Sequence, residues 1–406
     1  MSHISEYVPV VGQSIVDELY TLAEKLKGKV VQNVNSTSVG GGVAEILSRM
    51  VPMLTELGVE ARWDVIKGNE KFFAITKKMH NALHGSDVPL SKEEYDLFLE
   101  VNRENAQGFD FRGDILFIHD PQPIGLVEKR NVIGKRWIWR CHIDFTDPQW
   151  GAWEFLRGFI ERYDSMVLSA PAFVRDVPIP QYLISPSIDP LSEKNKELPE
   201  DIVASMLSHF GIDRGRPIVT QISRFDYLKD PLGVIKVYKM IKKNVDCQLV
   251  LAGGGAIDDP EGMKVLEEVK EASCGDPDIH VLFLPPSSDL EINALQRGST
   301  VILQKSLKEG FGLTVAEALW KAKPVIASAV GGIPLQIKHQ HSGILTYSVE
   351  GTAFFLKQLL QNPEYAAHLG QNGREFVRFN FLITRHIYEY LLLFLSLSYN
   401  EDIVYM

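Results

Sequence analysis

Four short stretches of this chain combine charged side chains with glycine in ways that suit a phosphate-bearing ligand. In "EGFGLTVAEA" (309–318), Glu309 and Glu317 stand eight positions apart around Gly310-Phe311-Gly312. A carboxylate can accept from two vicinal hydroxyls, as a sugar or a ribose presents them. Amides bared by Gly310 and Gly312, with those of Leu313 and Thr314 where a helix opens, can take phosphate oxygens at the positive end of that helix. Both halves of a sugar nucleotide are thus provided for. The plainer alternative makes Glu317, placed in the first helical turn, a partner of the helix dipole and Glu309 a solvated loop residue. "SRFDYLKDP" (223–231) sets Arg224 and Lys229 in one loop after a strand, with Asp230-Pro231 as N-cap and first turn of the next helix. These two cations either hold an anion or lie solvated. "NSTSVGGGVAE" (35–45) puts Gly40, Gly41 and Gly42 between a strand and a helix, where backbone can approach an anion or simply turn tightly. In "LAGGGAIDDPEG" (251–262), Asp258 replaces the last glycine of a dinucleotide fingerprint. Together with Asp259 and Glu261 it would repel a pyrophosphate, so this loop reads as a structural turn.

Such loops work only if rigid elements aim them. In the second half, β-branched runs alternate with helical ones: "RPIVTQIS", "PLGVIKVYKMIKKN", "CQLVLAGG", "PEGMKVLEEVKEA", "IHVLFLP", "LEINALQRG", "STVILQ", "LTVAEALWKA" and "PVIAS". That alternation implies a parallel, doubly wound sheet with helices on both faces, and ligands then bind beyond the carboxyl ends of the strands. The first half repeats the theme with strands at "GKVVQNVN", "DILFIHD", "RWIWRCHID" and "SMVLSA". The stretch "VAEILSRMVPMLTELG" carries a helical apolar stripe of Val43, Ile46, Leu47, Met50, Val51, Leu54 and Leu57, and residues 68–110 form a charged helical excursion. The Pro-punctuated segment "SPSIDPLSEKNKELPED" (185–201) is the best linker. The expected fold class is therefore α/β, with two Rossmann-like domains facing a central cleft: residues 1–190 with a crossover helix in 381–406, and residues 191–380.

Composition narrows the partners. The 406 residues are 45% apolar and 23% charged, ordinary for globular domains, and exceed what one core sustains. A formal charge of −10 excludes a general nucleic-acid binder. Cys141, Cys247 and Cys274 fit neither a disulfide framework nor a zinc site, which points to a reducing compartment. The amino-terminus lacks a secretory pattern, and "YLLLFLSLSY" (390–399) falls short of the roughly 18 apolar residues that span a bilayer. The expectation is a cytoplasmic protein without a membrane segment.

Taken together and in this order, the motifs resemble those of a known family. "EGFGLTVAEA" is similar to the E-x7-E signature of retaining family 4 glycosyltransferases of the GT-B fold, "SRFDYLKDP" to their diphosphate clamp, and the 40–42 glycines to their donor loop. More narrowly, "SVGGGVAEIL", "HDPQP", "WRCHID" and "LAGGGAIDDPEG" resemble the branch of trehalose glycosyltransferring synthases, archaeal ones above all, and retaining trehalose phosphorylases.

The resemblance implies a transfer of glucose from a nucleoside diphosphate glucose (ADP-, UDP- or GDP-glucose) to free glucose, giving α,α-trehalose reversibly. Arg224 and Lys229 would hold the diphosphate together with the amides of Gly312, Leu313 and Thr314. Glu309 and the Gly310 and Phe311 amides would hold the moving glucose, and Glu317 the ribose. His142, at the end of "RWIWRCHID", corresponds to a histidine that contacts donor glucose; read alone it is a strand-end histidine. His119, Asp120, Gln122 and Asp144 are candidates for the acceptor site, although "HDPQP" also reads as a Pro-rigidified turn. The family implies front-face attack without an essential cofactor or metal, Mg2+ being at most a nonessential stimulant, and admits a homodimer. A phosphate-dependent trehalose phosphorylase, a NAD-dependent Rossmann oxidoreductase and a non-catalytic sugar-nucleotide binder are the rival readings.

Overall fold

In the computed structural model of the chain, residues 3–38, 41–254 and 260–399 are described. The chain divides into two compact units, Met1–Ser187 with Ile383–Met406, and Ile188–Leu382.

The first unit is built on six parallel strands: β1 (Val30–Asn35), β2 (Glu60–Val65), β3 (Ile115–His119), β4 (Arg136–Cys141), β5 (Ser165–Leu168) and β6 (Gln181–Leu183). They lie in the order β2-β1-β3-β4-β5-β6. Central β3, "ILFIH", is buried along its whole length, as a strand covered on both faces must be. Helices Glu70–Leu83 and Lys92–Gly108 make the excursion between β2 and β3. Helix Ile383–Ser398 belongs to this unit and packs on helices Gln13–Glu24 and Gly41–Glu56. Its Tyr390 and Phe394 meet Phe117 edge-on, with ring centres 5.1 and 5.7 Å away. The apolar face of this helix thus lies on the sheet of the amino-terminal unit.

The second unit carries β7 (Ile218–Ile222), β8 (Gln248–Gly253), β9 (Ile279–Phe283), β10 (Val301–Gln304), β11 (Val325–Ser328) and β12 (Ile344–Thr346), again parallel. Their order is β12-β11-β10-β7-β8-β9. Period-two alternation sorts the core: Val219, Leu249, Leu251 and Leu303 join one buried cluster, while Ile218, Ile222, Val250 and Ala252 join another. The chain builds outward from β7 through β8 to β9, then returns to the other side of β7 with β10. The loops after β7 and β10 therefore flank a topological switch point, where an open sheet leaves room for a ligand. In the first unit the same reversal lies between β1 and β3.

Candidate active site

In the second unit, the two loops at the switch point are those that carry the charged motifs. Gln221, on β7 and fully shielded, ties them together: its side-chain amide donates to the Lys229 carbonyl at 3.0 Å and its oxygen accepts from Lys305 N–H at 3.0 Å. Asp226 caps the turn Tyr227–Lys229 by accepting from Leu228 N–H at 2.8 Å, and lies 3.4 Å from an Arg224 guanidinium nitrogen. Asp230 adopts φ 47°, uncommon for a residue with a Cβ. It caps helix Pro231–Lys242 through Gly233 N–H at 3.0 Å, and Lys305 Nζ is 3.4 Å from its carboxylate. These contacts fix the backbone on both sides of Lys229.

The clamp and the glutamate loop then meet directly. Lys229 Nζ lies 2.5 Å from Glu309 Oε2 across 80 residues of sequence, both side chains being largely shielded. Ser306 Oγ donates to the same carboxylate oxygen at 3.1 Å, and Gln304 holds Ser306 at 3.0 Å and Thr314 Oγ1 at 3.1 Å. Gly312, at φ 87°, is the N-cap of helix Leu313–Trp320, so the first helical amides start beside a residue with no side chain to cap them. Gln336 fastens the loop by donating to the Phe311 carbonyl at 2.6 Å.

Gly332 packs flat on this loop: its N–H donates to Glu309 O at 3.1 Å, and a Cβ there would sit 2.5 Å from Gly310 O and 2.9 Å from Phe311 Cα. Both obstacles are backbone, so Gly332→Ala must push residues 309–312 away. We expect it to destabilise the second unit by roughly 1–3 kcal/mol and to reduce turnover more than it changes the unfolding midpoint. Normal kinetics in the alanine variant would show that the loop has slack.

Glu317 corrects the sequence reading in one respect. It is the fifth residue of its helix, in the second turn rather than the first, so a pairing with the helix dipole does not account for it. Its side chain is 2% exposed, with Lys194 Nζ 3.7 Å from one carboxylate oxygen and Gln296 Nε2 3.4 Å from the other. One turn on, Lys321 is buried and donates to Asn195 Oδ1 at 2.9 Å and to the Glu317 carbonyl at 3.2 Å. Loss of hydration pulls its ammonium down to about 7, against the attraction of Glu317. An unfolded chain keeps a lysine protonated to about pH 10.4, so between roughly pH 7 and 10 the unfolded state binds the extra proton and this group makes stability rise with pH. Lys321→Met removes that contribution. The denaturant midpoint of the variant should gain less than that of the parent between about pH 7 and 9.5; parallel curves would contradict a neutral native Lys321.

In the first unit the candidates gather beyond β1, β3 and β4. His119 ends β3 opposite Arg140 on β4. Its Nε2 is 3.1 Å from Asn33 Oδ1 and its Nδ1 is 3.2 Å from His142 Nε2. Both ring nitrogens are thus engaged in a residue 2% exposed, and His119 stands between Asn33 and His142. Burial and the Arg140 charge pull its imidazole down to about 3, and the same causes hold His142 well below the ordinary range. Asp120, at φ 65°, accepts from His142 N–H at 2.7 Å; burial pushes its carboxyl up to about 6 against that bond and the Arg140 charge. Gln122 lends its carbonyl to Asn102 at 3.1 Å. Asp144 is buried and its Oδ1 accepts from Thr146 N–H and Oγ1 at 3.0 and 2.6 Å, which closes the local turn. Gly41 opens helix Gly41–Glu56 at φ 81° with Gly42 exposed beside it, while Gly40 lies outside the described residues, as do Asp258 and Asp259.

Comparison with known proteins agrees with this division. Residues 33–175 match the family described as trehalose synthase, N-terminal domain, and residues 206–376 match glycosyl transferases group 1. The trehalose synthase of Pyrococcus horikoshii is 44% identical over 398 residues, covering 96% of this chain and 95% of that protein. The chain belongs to the trehalose synthase family of glycosyltransferases. A bacterial member of the trehalose synthase family, from Rubrobacter xylanophilus, is also 44% identical, with 97% of each chain covered. The trehalose phosphorylase of Pleurotus pulmonarius is more distant, at 31% identity over 84% of this chain and 54% of its own length. Among solved structures, a sucrose-phosphate synthase from Thermosynechococcus elongatus superposes with a TM-score of 0.72 over 91% of this chain and 99% of its own, at 18% identity, which shows the shared GT-B fold.

Residues that the sequence reading passed over do much of the holding: Gln221, Gln304, Ser306, Gln336, Lys194 and Gln296. Their signal was faint but present. A glutamine inside an apolar strand run, as in "PIVTQIS" or "VILQKS", has to be hydrogen-bonded at its end, and the end of a strand is where a site is built. Among the described residues, no group of three or more His, Cys, Asp or Glu side chains could hold a metal ion, and no helix is long and apolar enough to cross a membrane.

Proposed function

We propose that this protein transfers glucose from a nucleoside diphosphate glucose to free glucose, forming α,α-trehalose with the anomeric configuration retained. The observation that carries the reading is the 2.5 Å contact of Lys229 with Glu309, which brings a diphosphate cation and a sugar-hydroxyl acceptor to one point at the switch of a doubly wound sheet. Arg224 and Lys229 hold the diphosphate, Glu309 the moving glucose and Glu317 the ribose. As the glycosidic C1–O bond breaks, negative charge grows on the leaving phosphate, so the two cations and the amides of Gly312, Leu313 and Thr314 attract it more strongly in the transition state than in the ground state. The acceptor hydroxyl oxygen attacks C1 from the face the phosphate leaves, and its proton passes to the departing phosphate oxygen. Products are trehalose and the nucleoside diphosphate, and the same steps run backward. On this reading no metal is needed for turnover, because fixed cations and helix amides take its place.

The test is incubation with glucose and, separately, ADP-, UDP- and GDP-glucose, followed by identification of the disaccharide and its linkage. An α,α-linked product with release of the nucleoside diphosphate is expected. Trehalose breakdown that depends on inorganic phosphate and ignores nucleoside diphosphates would instead make the protein a phosphorylase. Failure to join glucose from any of the three donors would end the proposal. Unpaired Cys141, Cys247 and Cys274 support a reducing compartment such as the cytoplasm.

A further inference from the structure

Three side chains in the first unit form a line whose protons can be placed one after another. Asn33, fully buried on β1, directs its amide nitrogen to the Arg62 carbonyl at 3.2 Å. A carbonyl only accepts, so the amide orientation is settled and Asn33 Oδ1 is left facing His119 Nε2 at 3.1 Å. An amide oxygen also only accepts, so His119 Nε2 carries a hydrogen. A neutral imidazole has one N–H, and His119 is held neutral by burial beside Arg140. Its Nδ1 is therefore bare and must accept from its neighbour, His142 Nε2, 3.2 Å away. His142 is neutral for the same reasons, with Arg140, His119 and His386 all disfavouring its charged form. Its single proton is then spent on His119.

We propose that the line Asn33–His119–His142 fixes His142 in the Nε2–H form, so that it meets a sugar through Nδ1 as a hydrogen-bond acceptor and never as a donor or proton source. Asn33 and His119 are positioning residues, acting on the substrate through His142. The ligand group recognised is a hydroxyl that donates. The consequence for the reaction is that the proton released by the acceptor does not settle on His142, because burial beside Arg140 disfavours the imidazolium that would form, which leaves it to the departing phosphate. This inference rests on the glycosyltransferase reading above only in taking His142 to touch sugar, as the family resemblance implies; the tautomer itself does not.

Nitrogen-15 NMR of the histidine-labelled full chain at neutral pH tests it directly. Expected are a pyridine-type Nδ1 and a pyrrole-type Nε2 for both His119 and His142; a protonated Nδ1 on His142, or a doubly protonated ring, would overturn the assignment. Kinetics test the positioning role. His119→Leu removes the acceptor behind His142 and should lower turnover roughly tenfold, the worth of one such bond, with nucleoside diphosphate affinity unchanged because that site lies in the other unit. His119→Asn can place an amide oxygen where Nδ1 stood and should restore most of the loss. Equal turnover in the two variants would refute the relay, and the NMR result stands even if the leucine variant folds poorly. Full activity in His142→Ala would instead refute contact between His142 and sugar while leaving the tautomer intact.

Discussion

Lys229→Ala is expected to lower turnover by two to three orders of magnitude, the usual effect of removing one fixed group from a developing oxyanion, with the KM for acceptor glucose nearly unchanged. The ammonium is positioned by the chain on both sides of it: Gln221 holds the Lys229 carbonyl, Asp226 caps the turn that ends there, and Asp230 starts the next helix. On the proposed reading its interaction with the diphosphate strengthens as charge accumulates, so the loss should fall on the chemical step and not on uniform binding. A complication is that Lys229 also neutralises Glu309, a side chain 11% exposed. On the proposed reading, removing the lysine leaves that carboxylate facing the diphosphate without the cation 2.5 Å from it, which would repel the donor by itself. The double variant Lys229→Ala with Glu309→Gln separates the two effects. If it recovers the turnover lost in Lys229→Ala, stray negative charge was the cause and the clamp role fails. If it is as slow as the single variant or slower, the cation itself was needed. Equal losses in turnover and in acceptor affinity would also contradict the assignment.

Legibility in the sequence followed the length of each signal. Strands β7, β8 and β10 were readable because β-branched runs bounded by Gly and Pro recur at the spacing of a doubly wound sheet, and the charged loops were readable because they follow such runs. Strands β6 and β12, three residues each, are too short for a period to show. For the site, the sequence places single residues beside strand ends without telling what each of them touches. His119 and His142 look alike in sequence; only the pairing of β1, β3 and β4, which brings Asn33 up to His119, tells which histidine faces inward. Asp144, a candidate for the acceptor site, has one carboxylate oxygen bonded to Thr146 two residues on, a local bond of the kind that Asp commonly makes and that its sequence neighbours only permit. The position of Glu317 in its helix depended on where the helix starts. Gly312 sets that start by taking φ 87°, a conformation that sequence alone permits without requiring.

Glu317→Gln should weaken the binding of nucleoside diphosphates by about tenfold to a hundredfold, the worth of a charge-assisted hydrogen bond, and should abolish the preference for ribose over 2′-deoxyribose. A carboxylate 2% exposed keeps its charge only with compensation, and Lys194 and Gln296 supply it, one at each oxygen. Lys194 also approaches Asp289 at 3.8 Å, so its ammonium sits between two acids, one buried and one partly exposed. Binding of a vicinal diol to Glu317 would have to share that carboxylate with Lys194, and the glutamine variant keeps the shape while losing the charge that both partners use. Calorimetry with ADP and 2′-deoxy-ADP measures the two affinities separately. A variant that still favours ribose by the parental ratio would remove Glu317 from the ribose site, whatever its overall affinity. Lys194→Met should shift the same ratio in the same direction by a smaller factor in the parent chain. In the Glu317→Gln background it should shift nothing, because its influence on the ribose runs through the carboxylate that the second substitution has taken away.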